Sequence, residues 1–266
     1  MKSLHPSTLR RLTLAIAMAM LPCALAQQPV NSAHVPTIAE QYLLVAANQE
    51  RTARNLPLLQ RDSNLARAAA QHAQVMAEHG SISHQFPGEP ELSSRGAAMG
   101  VAFSLISENV AQAPSAVQIH DMWMHSEGHR ANLLDPAVNV VGIRVIARAG
   151  ELYAVEDFAR TVPSVSLDQQ ESAIAALIAA PKHITLDRDA GNIAAARQTC
   201  AMPSGFAGTR KPWFVMRFTS SNLTQLPGEL KTQLASGRYH QAVVGACTVS
   251  SSSSFASYNI AVLLYP

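Results

Sequence analysis

The stretch Trp123-Met-His-Ser-Glu-Gly-His-Arg-Ala-Asn-Leu-Leu134 constrains this chain more than any other part of it. It joins an aromatic anchor, a histidine behind a glycine, and an Arg-x-Asn-Leu-Leu tail that reads as a short helix. The segments on either side supply the elements it must pack against. Residues 37–55 read as a helix with Ile38, Tyr42, Val45 and Ala46 on one apolar face. Asn55 suits a left-handed exit, and Pro57 prevents continuation. Residues 62–79 form a second helix with an inner stripe of Leu65, Ala68, Ala69, Ala73, Met76 and Ala77, closed by Gly80. A loop with His84, Pro87 and Pro90 follows, and residues 114–123 begin another helix. Val140–Ala147 and Leu152–Phe158 are β-rich and joined across Ala149-Gly150, as in a hairpin. Helix, helix, loop, helix and hairpin in this order is what a sheet covered by helices produces.

Composition breaks at Arg160-Thr-Val-Pro-Ser-Val-Ser166, and a second module starts there. Ser166-Leu-Asp-Gln169 is a capping-box pattern ahead of an alanine-rich helix that ends near Pro181. Residues 211–219 read as a strand, 226–235 as a helix, and 241–249 and 258–264 as two more strands. The serines Ser250–Ser254 read as a turn between them. Val140-Val-Gly142 recurs as Val243-Val-Gly245, so residues 160–266 read as a small α+β accessory domain and a candidate degenerate half-repeat; chance is the rival explanation.

Lys2, Arg10 and Arg11 precede an apolar run from Leu12 to Leu21, and Ala24-Leu25-Ala26 offers a small-x-small cleavage site. These residues read as a signal peptide cleaved after Ala26, too short for a membrane span, followed by a polar leader over 27–36. The expected product is secreted or periplasmic, with no transmembrane segment. Cleavage takes three of the 20 basic residues and none of the 18 acidic ones, leaving a net charge of −1. The pI of about 8.5 therefore belongs to the uncleaved chain, and nothing electrostatic favours nucleic acid. Cleavage also removes Cys23 and leaves Cys200 and Cys247, expected as one disulfide in an oxidising compartment, with two separate buried thiols as the alternative.

Ser83-His84, Glu108-Asn109-Val110-Ala111 and the Trp123–Leu134 stretch, in this order, resemble the CAP superfamily of bacterial type, named for cysteine-rich secretory proteins, venom antigens and plant pathogenesis-related proteins. Asn48-Gln-Glu-Arg51 with Leu56-Pro57-Leu58-Leu59, Val141-Gly142-Ile143 and Glu156-Asp157-Phe158 extend the resemblance over residues 37–159. It implies an α/β fold, a three-layer α-β-α sandwich, followed here by the smaller second domain. It also implies a cleft formed by His84, Glu108 and His129. Many members add a second glutamate; its position here is Ser126, with Glu127 adjacent but rotated by roughly a quarter turn of helix.

Two imidazoles and a carboxylate suit Zn²⁺ or another divalent metal, with His84 and His129 as ligands, or a general acid–base pair near neutral pH. Alternatively, Glu108 only braces the loops. Ser126, three residues before His129, is a candidate nucleophile without a recognisable elbow around it. Glu156, where the family often has glutamine, reads as an exposed charge in preference to a replacement for the missing glutamate. It should face the opposite side of the sheet from Asp157. Trp123 reads as core, His72 as a packing residue and His125 either as solvent-facing or as a support behind the cleft residues. Three functions stay open: a ligand-binding protein for a lipid, a sterol or a protein partner; a metal- or serine-dependent hydrolase or protease; and a non-catalytic envelope interaction module.

Overall fold

The structure, a computed structural model, describes residues 34–180, 183–248 and 254–266. The expected signal peptide, most of the polar leader and most of the serine run lie outside these residues. A first lobe contains α1 (Ile38–Thr52), β1 (Gln60–Arg61), α2 (Ser63–His79), α3 (Leu92–Ala98), β2 (Phe103–Ala113), α4 (Ala116–His125), α5 (Glu127–Leu134), β3 (Val140–Arg148) and β4 (Glu151–Thr161). The second contains α6 (Leu167–Ala179), β5 (Thr185–Leu186), α7 (Ala190–Ala201), β6 (Phe214–Ser220), α8 (Gly228–Ala235), β7 (Gln241–Cys247) and β8 (Tyr258–Tyr265).

Helix ends follow from local chemistry. Thr37 and Glu40 close a reciprocal capping box on α1, and Ser166 and Gln169 do the same on α6. Asp62 caps α2, whose other end turns on Gly80 at φ 63°. Asn55 takes the expected left-handed conformation at φ 57°.

Both lobes carry a four-stranded sheet, ordered β1-β3-β4-β2 in the first and β5-β7-β8-β6 in the second. In each, a two-residue edge strand runs parallel to its neighbour while the other pairs are antiparallel. Strand alternation sends Val141, Ile143 and Val145 toward α1, α4 and α5, where Leu43, Trp123 and Leu133 complete the core. The other face packs Val110, Tyr153 and Val155 against Ala69, Ala73 and Met76 of α2. In the second lobe Ala242, Val244 and Ala246 meet Ile174, Ile178 and Leu230, whereas Val243 meets Ala196 and Cys200 of α7. Each sheet thus lies between helices, and the first lobe is the expected α-β-α sandwich.

The helices approach at glycine. A Cβ on Gly142 would stand 2.3 Å from the backbone of Leu65 and Ala66, and one on Gly245 would stand 2.3 Å from Ala196 and Arg197. The sheet edges match more closely than the sequence echo. Asp62 N donates to Val141 O in one lobe, and Asp187 N donates to Ala242 O in the other. Further along, Val145 N donates to Glu40 Oε1 at 3.3 Å and Ala246 N to Glu171 Oε1 at 2.9 Å. By this register Val141 corresponds to Ala242, so Val140-Val-Gly142 and Val243-Val-Gly245 are two residues out of step.

Two expectations need correction. The buried face of α1 is Glu40, Leu43, Ala46, Ala47 and Arg51. Ile38, Tyr42 and Val45 are exposed, because the Arg51 guanidinium turns inward to the carbonyls of Pro57, Leu133, Asp135 and Val138. The Glu108 segment is a long strand, not a loop, and α3 is an element the periodicity does not reveal. Cys200, within α7, is bonded to Cys247 at the end of β7 with Cα atoms 5.8 Å apart, the disulfide expected. This disulfide fixes α7 to its sheet.

Gly142→Ala should destabilise the protein by about 3 kcal/mol, the upper end for overpacking, since the added methyl meets backbone. Gly128→Ala, where a Cβ meets nothing within 4 Å, serves as the control. Urea unfolding of both variants measures the difference.

Candidate functional site

The β2 edge of the first sheet carries the site. Two asparagines fasten α5 to it: Asn109 Nδ2 donates to His129 O at 3.0 Å, and Asn132 Nδ2 donates to Glu108 O at 3.1 Å and Asn109 Oδ1 at 3.0 Å. Trp123, fully buried, donates from Nε1 to Val110 O at 3.1 Å and locks α4 to the same strand. These bonds set His129 at the rim of the Glu108 segment. They also explain why an Asn follows the glutamate and another follows the second histidine by three residues.

Glu108 points to the α2 side of the sheet and is buried. Its Oε1 is 2.9 Å from His84 Nδ1, and its Oε2 accepts from Arg95 Nη2 at 2.5 Å. Arg95, only 2 % exposed, comes from α3 and also donates to Pro90 O at 3.1 Å and His84 O at 3.4 Å. Behind them, buried His72 bridges Glu89 Oε1 and Ser83 O, both at 2.7 Å, and brings Nε2 to 3.8 Å from Glu108 Oε2. The expectation of His72 as a satisfied packing residue describes it well, although what it packs is the base of the site.

His84 and His129 differ. His84 keeps 63 % of its side chain exposed. Its hydrogen bond to Glu108, partly opposed by desolvation, raises its pKa above the ordinary histidine value. His129 is half-buried; desolvation, with a smaller contribution from His84, lowers its pKa. Ser126 forms the corner between α4 and α5 and makes no side-chain cap hydrogen bond, and among the described residues none joins it to His129. Glu127 is exposed, as is His125, which pairs with Asp121.

The expected exposure of Glu156 is corrected, while its position on the opposite face from Asp157 is as expected. Glu156 is 0 % exposed and neither carboxyl oxygen has a hydrogen-bond partner among the described residues. It stands beside Asn109 in the β2–β4 register, while Asp157 stands beside Glu108. Glu156 and Glu108 therefore occupy opposite faces, and Glu156 does not replace the missing glutamate. Burial lifts its pKa to about 8. Asp157, equally buried and without a donor, is also raised well above its ordinary value, first by desolvation and then by the Glu108 charge.

The donor set falls short of a zinc site. Both Glu108 oxygens are engaged, one by a guanidinium, so only the two imidazoles remain, against the three protein ligands of a typical catalytic site. Among the described residues no three His, Cys, Asp or Glu side chains gather as metal ligands.

The first lobe is similar to known proteins. Residues 44–158 match the model of the cysteine-rich secretory protein family, CAP. An uncharacterised protein of Bacillus subtilis (strain 168), YkwD, is 29 % identical over 105 residues, 39 % of this chain and 41 % of the relative. An extracellular protein containing an SCP domain from Bacillus anthracis str. Ames is 31 % identical; the match covers 46 % of this chain and 40 % of that one, with a TM-score of 0.43. A cysteine-rich secretory protein from Staphylococcus aureus subsp. aureus Mu50 is 21 % identical over 46 % of this chain and 39 % of its own, with a TM-score of 0.39. The chain thus spans about two fifths of the length of these relatives.

A carboxyl whose folded pKa lies above its unfolded one loses stability as pH rises between the two. For Glu156 that window runs from 4.5 to about 8, at about 1.4 kcal/mol per pH unit. The protein should therefore be more stable near pH 5 than near pH 8. Glu156→Gln should raise stability at pH 8 and flatten the profile, leaving the slope that belongs to Asp157. Denaturant unfolding at both pH values checks this.

Proposed function

Since residues 44–158 form a CAP-family domain, we propose that this chain is an exported ligand-binding protein whose cleft holds the polar end of its ligand through His84 and His129. The observation that carries this reading is the mounting of His84. An imidazole that is 63 % exposed is fixed at Nδ1 by a buried carboxylate, and that carboxylate is clamped by a buried arginine. A brace alone has no need to present a ring nitrogen to solvent. With Nδ1 committed to Glu108, Nε2 faces outward, and in the imidazolium form it donates to an acceptor such as a carboxylate. The ligand class that suits this is an apolar molecule with an acceptor group, a fatty acid or sterol derivative, or a protein partner offering the same group.

A second reading rests on the opposite shifts of the two histidines. A raised His84 and a lowered His129 would form an acid–base pair for hydrolysis. Ser126 lacks the hydrogen bond to His129 that a nucleophile–base pair uses, so binding is the preferred function. Export is supported by the N-terminal sequence, and no described helix is long and apolar enough to cross a membrane. Residues 160–266 are proposed to form an accessory domain, a reduced copy of the CAP sandwich. The shared strand order and the shared edge contacts support this.

Native mass spectrometry of the exported protein tests the binding role. Wild type should retain a bound mass that His84→Ala loses, with unchanged circular dichroism. Identical bare masses would count against the cleft as a ligand site. The mounting itself is checked by NMR titration: Glu108→Gln should lower the His84 pKa toward the ordinary histidine value, because it removes the carboxylate that stabilises the imidazolium.

A further inference from the structure

The two lobes end their sheets in the same way, and the difference between those edges defines a second site. In the first lobe β1 pairs with only two residues of β3. Beyond it the Arg61 side chain covers the open edge, with Nη2 3.5 Å from Ile143 O and 3.4 Å from Glu40 Oε2, while Glu40 Oε1 accepts from Val145 N. The edge groups are thus met by one guanidinium and one carboxylate.

The second lobe repeats half of this arrangement. Glu171 takes the role of Glu40 at Ala246 N. The position of Arg61, second residue of the short edge strand, is Leu186, which pairs with Ala242 as Arg61 pairs with Val141. Leucine brings no donor to Val244, the counterpart of Ile143. The residue matching Arg144, which also faces Glu40 at 3.8 Å, is Gly245. Arg197 approaches Glu171 from α7 instead and binds both of its oxygens, at 2.6 and 2.7 Å.

What remains is a cavity of about 350 Å³ between α6 and α7, walled by Ala175, Ala179, Leu186, Ile193 and Val244. Its polar lining holds three carboxylates, Asp168, Glu171 and Asp187, against the two guanidinium groups of Arg188 and Arg197. The space has the volume of a small-ligand pocket, apolar walls for an alkyl stem, an edge backbone at its floor and an excess of negative charge.

We propose that this cavity binds an arginine-like group, a guanidinium on a short alkyl stem, which takes the place that Arg61 fills in the first lobe. The group comes either from a free small molecule or from the side chain of a partner peptide. Its stem lies against the alanines of α6, and its N–H groups reach Val244 O and the carboxylates at the rim.

The test uses the exported protein, ¹⁵N-labelled, with two probes: N-acetylarginine methylamide and an extended pentapeptide with one central arginine. Hexanoate, of similar length and opposite charge, is the control. Saturable amide shifts at Leu186 and Val244 with either arginine probe, at least tenfold tighter than hexanoate, are expected; the probe that binds tighter identifies the source. Leu186→Arg supplies an internal guanidinium and should weaken binding at least tenfold. Ala176→Phe, at an exposed position on the cavity lining, should do the same by filling the pocket, and keeps the test valid if the first variant does not fold. No saturable shift with either probe, equal binding of hexanoate, or binding unaffected by the folded variant would overturn the proposal.

Discussion

The buried contact between Arg95 and Glu108 organises the β2 edge of the first lobe. Neither side chain is more than 2 % exposed, so both have lost nearly all of their hydration, a cost that a single ion pair rarely offsets. The structure meets this with additional bonds: the guanidinium reaches carbonyls at His84 and Pro90, and the carboxylate receives His84. The pair therefore draws α3, the His84 loop and β2 to one point. Truncating either partner would leave an uncompensated buried charge, which is more damaging than replacing both with apolar residues.

That cluster also determines the charge state of its neighbours. Glu89, Glu108 and Asp157 meet around one arginine and His72. Asp157 has no donor for either oxygen among the described residues. Its raised pKa favours the protonated form, which avoids placing a further buried charge beside Glu108. Burial alone raises the Glu156 pKa, whereas for Asp157 burial comes first and the Glu108 charge adds to it. Adjacent carboxyls on one strand thus both favour the neutral form, and desolvation leads in each.

Much of the first lobe was legible because its signals are local. Capping boxes, the Asn55 turn and the small-residue stripe of α2 act within a few residues. Motif order singles out His84, Glu108 and His129, and in the structure Glu108 lies against His84 while Asn109 holds the backbone of His129. Arg95, Glu89 and Asp157 were not singled out. The contacts from Glu89 to His72 and from Arg95 and Asp157 to Glu108 span 13 or more residues, and nothing in a short Ser-Ser-Arg-Gly segment marks an arginine as buried. The α1 face failed for a related reason. Periodicity counts Ile38, Tyr42 and Val45 as core, but the helix is rotated by Arg51, whose hydrogen-bond partners at Leu133 and Val138 are more than 80 residues away. Hydrophobic spacing cannot weigh a polar anchor of that range.

The two lobes share a strand order and complete its parallel edge differently. A parallel edge strand of two residues leaves the next strand partly uncovered, and an uncovered edge must be met by side chains or it invites further pairing. In the first lobe an arginine from the edge strand and a glutamate from the first helix complete it, and the site lies at the opposite edge, on β2. In the second, the glutamate is retained but its arginine arrives from α7, so the ion pair survives while the edge does not close. Moving one cation from strand to helix preserves the electrostatics of Glu171 and vacates the volume beside it. The same constraint therefore yields a filled edge in one lobe and a cavity in the other, without any change in strand order.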